Sequence, residues 1–266
     1  MKRTYFLFFF FLTCLVLPAE EIDKVIYEAD YNVSLRYDAN SNALHTDVFM
    51  LQIGSRGISK FFPPRYERQC ILNDSIVKVG MTVDEAVQML QGENCFQVDE
   101  KFRVFKNFPK RGILTEIDNL GGEYIAEENM PNFEWNPLSG DTIIAGLRCE
   151  LAECTWRGRT WKAWYAPEIP FNEGPWKLSG LPGLIMKVSD ANGDFILECI
   201  GLRNVADKPM MLSYRRTPQQ CSIKELYEVR KKWLTNQMGF LTNMLGLPAP
   251  PTNQAQKKPN LMEVFK

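Results

Sequence analysis

The chain has 266 residues, with 31 Lys and Arg, 32 Asp and Glu, and a formal net charge of −1 at neutral pH. Proteins that bind nucleic acid need a basic surplus to neutralise phosphates, so this balance excludes an electrostatic nucleic-acid interface. The length suits one large β domain or two small domains, and neither an internal repeat nor a clear second domain is visible.

The first 19 residues have the pattern of a secretory signal peptide. Lys2 and Arg3 precede an apolar run over residues 5–17, which is shorter than an ordinary membrane-spanning helix. We predict cleavage after Ala19, which leaves an exported chain in the periplasm, at the cell surface or in the medium. Lipid attachment at Cys14 is the alternative. No later segment has the length and apolarity of a membrane span.

The mature chain is predicted to consist mostly of β-strands. Apolar and polar residues alternate over 25–37 and 45–53, which is typical of strands with one buried face. Residues 119–142 are rich in Gly, Asn and Pro and predict a long ordered loop. Asn192-Gly193 predicts a hairpin turn. Residues 154–165 predict two strands around Gly158 or one strand with a bulge there. Further strands are predicted at 59–62, 102–108, 113–118, 184–188 and 195–200.

Two capping boxes predict helices among the strands. Thr82 to Glu85 begins a short helix that ends near Gly92, and Ser222 to Glu225 begins a helix that continues to about residue 245. These elements predict a mainly β fold of the α+β class, either an antiparallel curved sheet or an open barrel or bowl. One short inserted helix and one C-terminal helix complete it. Residues 20–247 form this domain, and residues 248–266 are a Pro-rich extended tail.

Six cysteines remain after removal of the signal peptide. An even number in an exported chain predicts up to three disulfides, although the pairing stays open. A metal site is not expected, because there is no C-x-x-C and His45 is the only histidine, and no cofactor is implied. The disulfide candidates are Cys70, Cys95, Cys149, Cys154, Cys199 and Cys221.

The segment Gly180-Leu181-Pro182-Gly183-Leu184-Ile185 is predicted to have a structural role. Pro182 fixes its own φ angle, and the two glycines can adopt backbone angles that are closed to other residues. The segment contains no nucleophile, acid, base or ligand, and a strand follows it rather than the helix of a phosphate loop. We therefore expect a corner that directs the chain into the next strand.

The same segment resembles the motif of the GLPGLI family, exported proteins of one phylum of Gram-negative bacteria. The resemblance extends over most of the mature chain, whereas residues 66–112 match poorly and suggest an insertion. It implies export, a mainly β domain, no established activity and an association with TonB-dependent outer-membrane transport. The matching stretches are 51–54 with 59–61, 154–165, 168–170, 174–176, 180–185 and 260–263.

Catalytic residues are hard to assign from the sequence. His45 lies in a predicted strand with no nucleophile beside it, so a polar strand residue is the simpler interpretation. Glycosidases need only two suitably spaced carboxyl groups. The carboxylates near the Gly180–Ile185 segment are Glu168, Glu173, Asp190 and Asp194.

An aromatic and basic patch is the candidate ligand-binding face. Its rings could stack on a ligand and its guanidinium groups could bind a carboxylate or phosphate, while core packing is the competing interpretation. The predicted binding residues are Arg157, Arg159, Trp161, Trp164, Tyr165 and Trp176.

The sequence leaves three functional hypotheses open. The first is a non-catalytic envelope protein that binds a hydrophobic ligand, a peptide or an outer-membrane transport component on a concave sheet. The second is a carboxylate-based hydrolase of envelope glycans or glycopeptides. The third is a structural scaffold of a transport complex, in which the patch is an interface.

Overall fold

The computed structural model describes residues 19–95, 98–214, 217–248 and 257–265. The predicted signal peptide up to residue 18, including Cys14, lies outside the described residues, as do residues 249–256 and 266 of the predicted tail. Within the described ranges, no helix is both long and apolar enough to cross a membrane.

The strands of the described residues form one mainly antiparallel sheet of twelve members. Only β12 and β6 pair in parallel, and the order is β12-β6-β5-β4-β3-β2-β1-β11-β10-β9-β8-β7. In chain order the strands are β1 (Glu20–Leu35), β2 (His45–Gly54), β3 (Ser59–Phe62), β4 (Arg103–Lys106), β5 (Ile113–Asn119), β6 (Glu123–Asn129), β7 (Asn136–Ile144), β8 (Leu147–Trp156), β9 (Arg159–Ala166), β10 (Leu184–Asp190), β11 (Phe195–Leu212) and β12 (Gln219–Cys221).

The sheet is open, with β12 and β7 at its edges. The long strands β1 and β11 pair from Glu20 opposite Leu212 to Leu35 opposite Phe195, and the register shifts at three points along the pair. Such irregularities bend a strand and increase its twist. Leu114 of β5 consequently packs in the same core as strand β9, which lies seven places away in the sheet. The prediction of a mainly β, curved antiparallel sheet is confirmed.

The structure contains more helix than the sequence predicted. Helices α1 (Pro64–Val79) and α2 (Val83–Gly92) lie between the neighbouring strands β3 and β4, and α3 (Ile223–Thr235) and α4 (Gln237–Met244) follow β12. The capping boxes at Thr82 and Ser222 both form, and each side chain accepts from the backbone N–H three residues later. Helix α1 was missed because Pro64 ends the strand pattern, yet proline is also favoured in the first turn of a helix.

The prediction of a loop over residues 119–142 is wrong. Strand β6 and most of β7 lie in this range. The Gly121-Gly122 pair marks only the turn between β5 and β6, and Pro131 marks only the connection between β6 and β7. The error arose because turn residues at both ends of a strand outweighed the short apolar run of Tyr124, Ile125 and Ala126 between them.

The Gly180–Ile185 segment lies at the corner that leads into β10. Gly180 has a φ angle of 93° and Gly183 one of 153°, both in the region that favours glycine. A Cβ atom on Gly183 would overlap the carbonyl oxygen of Ala166 and lie 2.9 Å from Pro167 Cα. The absence of a side chain at Gly183 therefore lets the corner pass against the end of β9.

Substitution of Gly183 by Ala is expected to lower the free energy of unfolding by about 2 to 3 kcal/mol, because the added methyl group meets backbone atoms. Gly180→Ala is the matched control, since its nearest atom is Trp135 Nε1 at 4.0 Å and only the backbone strain applies. We expect a loss of about 1 kcal/mol there. Urea unfolding measures both, and equal losses would contradict the close-approach explanation.

Candidate functional site

Arg157 and Arg159 bind the tail segment, which we define as residues 257–265. Arg157 forms an ion pair with Glu263 of this segment. The Nε atom of Arg159 donates to the Leu261 carbonyl oxygen at 2.7 Å, and its Nη1 donates to Asp190 Oδ2 at 2.7 Å. Both guanidinium groups therefore hold the tail segment against the turn between β8 and β9.

The four aromatic side chains of the predicted patch lie on two faces of the sheet and its adjoining loop. Trp161 and Trp176 are fully buried, with ring centroids 5.5 Å apart. Tyr165 is also buried, and its hydroxyl donates to Glu150 Oε2 at 2.7 Å. Trp164 faces the other way and is half-buried. These rings do not share one open surface, and a ligand-binding role for the patch stays a prediction.

The six cysteines form no disulfide within the described residues. Burial raises the pKa of the thiols, to about 12 for Cys154 and to about 11 for Cys199, so both are protonated and poor nucleophiles near neutral pH. Cys149 is buried as well, and burial raises its pKa too. The predicted disulfides are therefore not supported; on these strands the cysteines pack as small apolar residues. That prediction covered Cys70, Cys95, Cys149, Cys154, Cys199 and Cys221.

The carboxylates near the Gly180–Ile185 segment stabilise the fold through ion pairs. Glu168 is the exception, because it is exposed. The three pairs are Asp190 with Arg159, Asp194 with Arg36, and Glu173 with Lys106.

A cavity of about 400 Å³ lies elsewhere in the fold, and none of the six predicted binding residues lines it. Its walls come from the loop after β1, the segment before β4, the end of β5 and one face of α3. Phe102, Trp233 and Leu234 supply apolar surface. Its volume is in the range of small-molecule sites. Across the described part of the chain, no group of three or more His, Cys, Asp or Glu is arranged to hold a metal ion.

Glu100 is an acidic group of this cavity with a strongly raised pKa. Its side chain is only 7% exposed, and the Tyr37 hydroxyl donates to Oε2 at 2.6 Å. Burial raises the pKa of Glu100 to about 7, the Tyr37 hydrogen bond opposes the rise, and the Asp118 carboxylate adds to it. Glu100 is therefore half protonated near neutral pH, so this carboxyl group can either donate or accept a hydrogen bond.

Asp118 and Arg230 form the second polar group of the cavity. Arg230 donates from Nε and Nη2 to Asp118 Oδ2 at 2.8 and 2.6 Å, and from Nη2 to Glu116 Oε1 at 2.8 Å. Burial raises the pKa of Asp118, and the guanidinium of Arg230 opposes that rise. Two carboxylates therefore balance the charge of Arg230 and fix α3 to β5.

A fully buried lysine lies behind this pair. Lys177 Nζ is 2.8 Å from Glu116 Oε2, 3.0 Å from Glu128 Oε1 and 2.6 Å from Glu263 Oε1. Burial favours the neutral amine, but the three carboxylates outweigh it and raise the pKa of Lys177. We call Lys177, Glu116, Glu128 and Glu263 the buried charge cluster; it connects the loop before β10, two strands and the tail segment.

One feature of the sequence indicates part of the cavity. Arg230 lies on the apolar face of the predicted C-terminal helix, together with Trp233 and Leu234. A charged residue on a buried face needs a partner of opposite charge, which predicts an acidic residue opposite it. Glu100 gave no such signal, because it precedes β4 in an irregular segment.

The comparison with protein families gives one match, to a model described as "Protein of unknown function (Porph_ging)", over residues 139–187. The chain is thus similar to an uncharacterised family across β8, β9 and the Gly180–Ile185 segment, while the cavity residues lie outside the match. The more specific GLPGLI resemblance stays a prediction. No curated protein matches the chain.

Two solved structures of PNGF-II, in space groups C2 and P21, have a similar fold with a TM-score of 0.51 each. Their sequence identities to this chain are 13% and 14%, and each match covers 80% of this chain. The chain spans about one third of the length of PNGF-II, at 33% and 34% of the two solved chains. At such identities the likeness shows a shared β-rich fold and nothing of the activity.

Proposed function

We propose that this protein is an exported binding protein that holds a small organic ligand in the cavity between α3 and the end of β5. One observation carries the proposal: a buried carboxyl group, Glu100, lines a cavity that also has aromatic walls. A pocket with apolar walls and a few convergent polar groups is the usual form of a small-molecule site. The aromatic and basic patch then serves mainly to hold the tail segment.

The place of this function in the cell rests on the sequence. The N-terminal 19 residues support export to the periplasm or cell surface. The family resemblance supports a link to TonB-dependent uptake, with an outer-membrane transport component as the partner. A carrier that presents its ligand to such a component accounts for both features.

Native mass spectrometry of the mature protein, purified gently from its own envelope, is expected to show an added mass that denaturation removes. Ala43→Trp should reduce that mass, because Ala43 is exposed and lines the cavity. Ala39→Trp is the matched control, since Ala39 is exposed in the same loop but does not line the cavity. A bare mass in the unchanged protein would contradict the proposal and favour a scaffold role.

A carboxylate-based hydrolase of envelope glycans or glycopeptides is the second candidate function. The supporting observation is that Glu100 and Asp118 line the same cavity and that burial raises the pKa of Glu100 to about 7, so a fraction of this group is still protonated near neutral pH. Hydrolysis of glycosidic bonds uses such a pair, one group as acid and the other as base or nucleophile. Release of reducing sugar from envelope glycopeptides, lost in Glu100→Gln, would establish this function; no release would dismiss it.

A further inference from the structure

The buried carboxyl groups of this protein follow a pattern with one exception. The described residues include nine buried Asp and Glu side chains, and eight of them form an ion pair with Lys or Arg. Glu100 is the ninth, and no basic side chain in the described ranges pairs with it. A buried carboxylate without a partner of opposite charge is costly, and such groups are uncommon outside functional sites.

The groups that act on the charge of Glu100 include one basic side chain, Arg230, which already has carboxylate partners. Tyr37 from the loop after β1 hydrogen-bonds it, Asp47 from β2 and Asp118 from β5 repel its charge, and Arg230 from α3 attracts it. Two carboxylates already balance Arg230. The other charged or titratable residues that line the cavity are exposed or half-buried: Asp38, His45, Asp99, Lys101 and Lys257.

We propose that the ligand is an organic cation whose ammonium or guanidinium group pairs with Glu100, while its apolar part packs against Phe102 and Trp233. This inference rests on the proposed function and names the chemical class of the ligand. A cationic ligand gives Glu100 the positive partner that Lys or Arg gives to each of the other eight buried carboxylates. Aromatic walls also favour cations over anions. An anionic ligand would instead be repelled by Asp118 and Glu100, and two carboxylates already neutralise the charge of Arg230.

Isothermal titration with three probes of similar shape tests the class directly. The probes are 2-phenylethylamine, 2-phenylethanol and phenylacetate, which differ in charge at pH 8. We expect the amine to bind more tightly than the other two, and Glu100→Gln to weaken its binding by about tenfold or more. Asp99→Asn is the matched control, because it removes an exposed carboxylate of the same cavity and should change the affinity by less than about twofold.

The release of a proton on binding distinguishes direct pairing of the amine with Glu100 from a long-range electrostatic effect. At pH 6 Glu100 is mostly protonated in the free protein, so binding of 2-phenylethylamine should expel a proton. The heat of binding then depends on the ionisation enthalpy of the buffer, and this dependence should disappear in Glu100→Gln. An amine that binds without proton release would overturn the inference.

The experiments distinguish failure of the proposed cationic ligand class from failure of the proposed binding function. Equal binding of the amine and the alcohol, no binding of the amine, or an unchanged affinity in Glu100→Gln would overturn the cationic class. The binding function would still stand if native mass spectrometry shows a cargo that Ala43→Trp excludes. A cargo that Ala43→Trp retains would instead remove the binding function, and with it the basis of this inference.

Discussion

Replacement of Lys177 by Met is expected to lower the free energy of unfolding by about 3 to 5 kcal/mol, the range for removing one partner from a buried ion pair. The lysine is fully buried and pairs with all three carboxylates of the buried charge cluster. Methionine has a similar shape but no charge, so the loss measures electrostatics more than packing. Glu263 would retain Arg157, and Glu116 would retain Arg230.

The control for this substitution is Lys187→Met. Lys187 pairs with Glu198 at 2.7 Å, but both side chains are substantially exposed, so we expect a change of at most about 1 kcal/mol. Urea unfolding at pH 7 measures both variants. If Lys177→Met is as stable as the unchanged protein, the carboxylates of the cluster are not ionised in the folded state.

A second substitution tests the charge balance itself. In Lys177→Met combined with Glu263→Gln, one of the three carboxylates that lose Lys177 as a partner is also removed. We expect part of the lost stability to return, because burial raises the pKa of Glu263 and Lys177 opposes that rise in the unchanged protein. If the losses of unfolding free energy in the two single variants simply add in the double variant, Glu263 and Lys177 do not interact energetically.

The cluster explains why the predicted patch has a structural role. Arg157 reaches Glu263 in the tail segment, and Lys177 reaches the same carboxylate from the loop before β10. The tail segment is therefore held by charges that come from two distant parts of the chain. The basic residues beside the Gly180–Ile185 segment thus have intramolecular partners, which the sequence alone could not identify.

The parts of the fold that depend on local signals could be predicted. Alternation of apolar and polar residues located β1 and β2, and the Ser and Thr of the two capping boxes located the starts of α2 and α3. These signals act over a few residues. The break at Asn236 was not predicted: this residue ends α3 and caps α4, whereas the sequence predicted one continuous helix.

The site could not be predicted because it depends on contacts between distant residues. Tyr37 and Glu100 are 63 positions apart, and Arg230 and Asp118 are 112 apart. Only the curvature of the sheet and the placement of α3 bring these four together. In addition, Lys177 lies among Gly and Pro in an apparent surface turn, so its complete burial has no sequence signal.

The stability of the protein is expected to fall as the pH rises from about 4.5 towards 7, because of Glu100. Its pKa is about 7 in the folded chain against an ordinary value of 4.5, so in this window the folded state holds a proton that the unfolded state has lost. The full shift corresponds to roughly 3 kcal/mol, present at low pH and lost above pH 7.

Glu100→Gln isolates this contribution, because the amide imitates the protonated acid and can still accept from Tyr37. Relative to the unchanged protein, the variant should gain stability between about pH 4.5 and pH 7 and little more above pH 7, whereas Asp99→Asn should follow the unchanged protein. Urea unfolding at a series of pH values measures the difference, and a difference that is constant with pH would refute the assignment. Because an organic cation would stabilise ionised Glu100, 2-phenylethylamine should restore more stability at pH 8 than at pH 5 in the unchanged protein and have no such effect in Glu100→Gln.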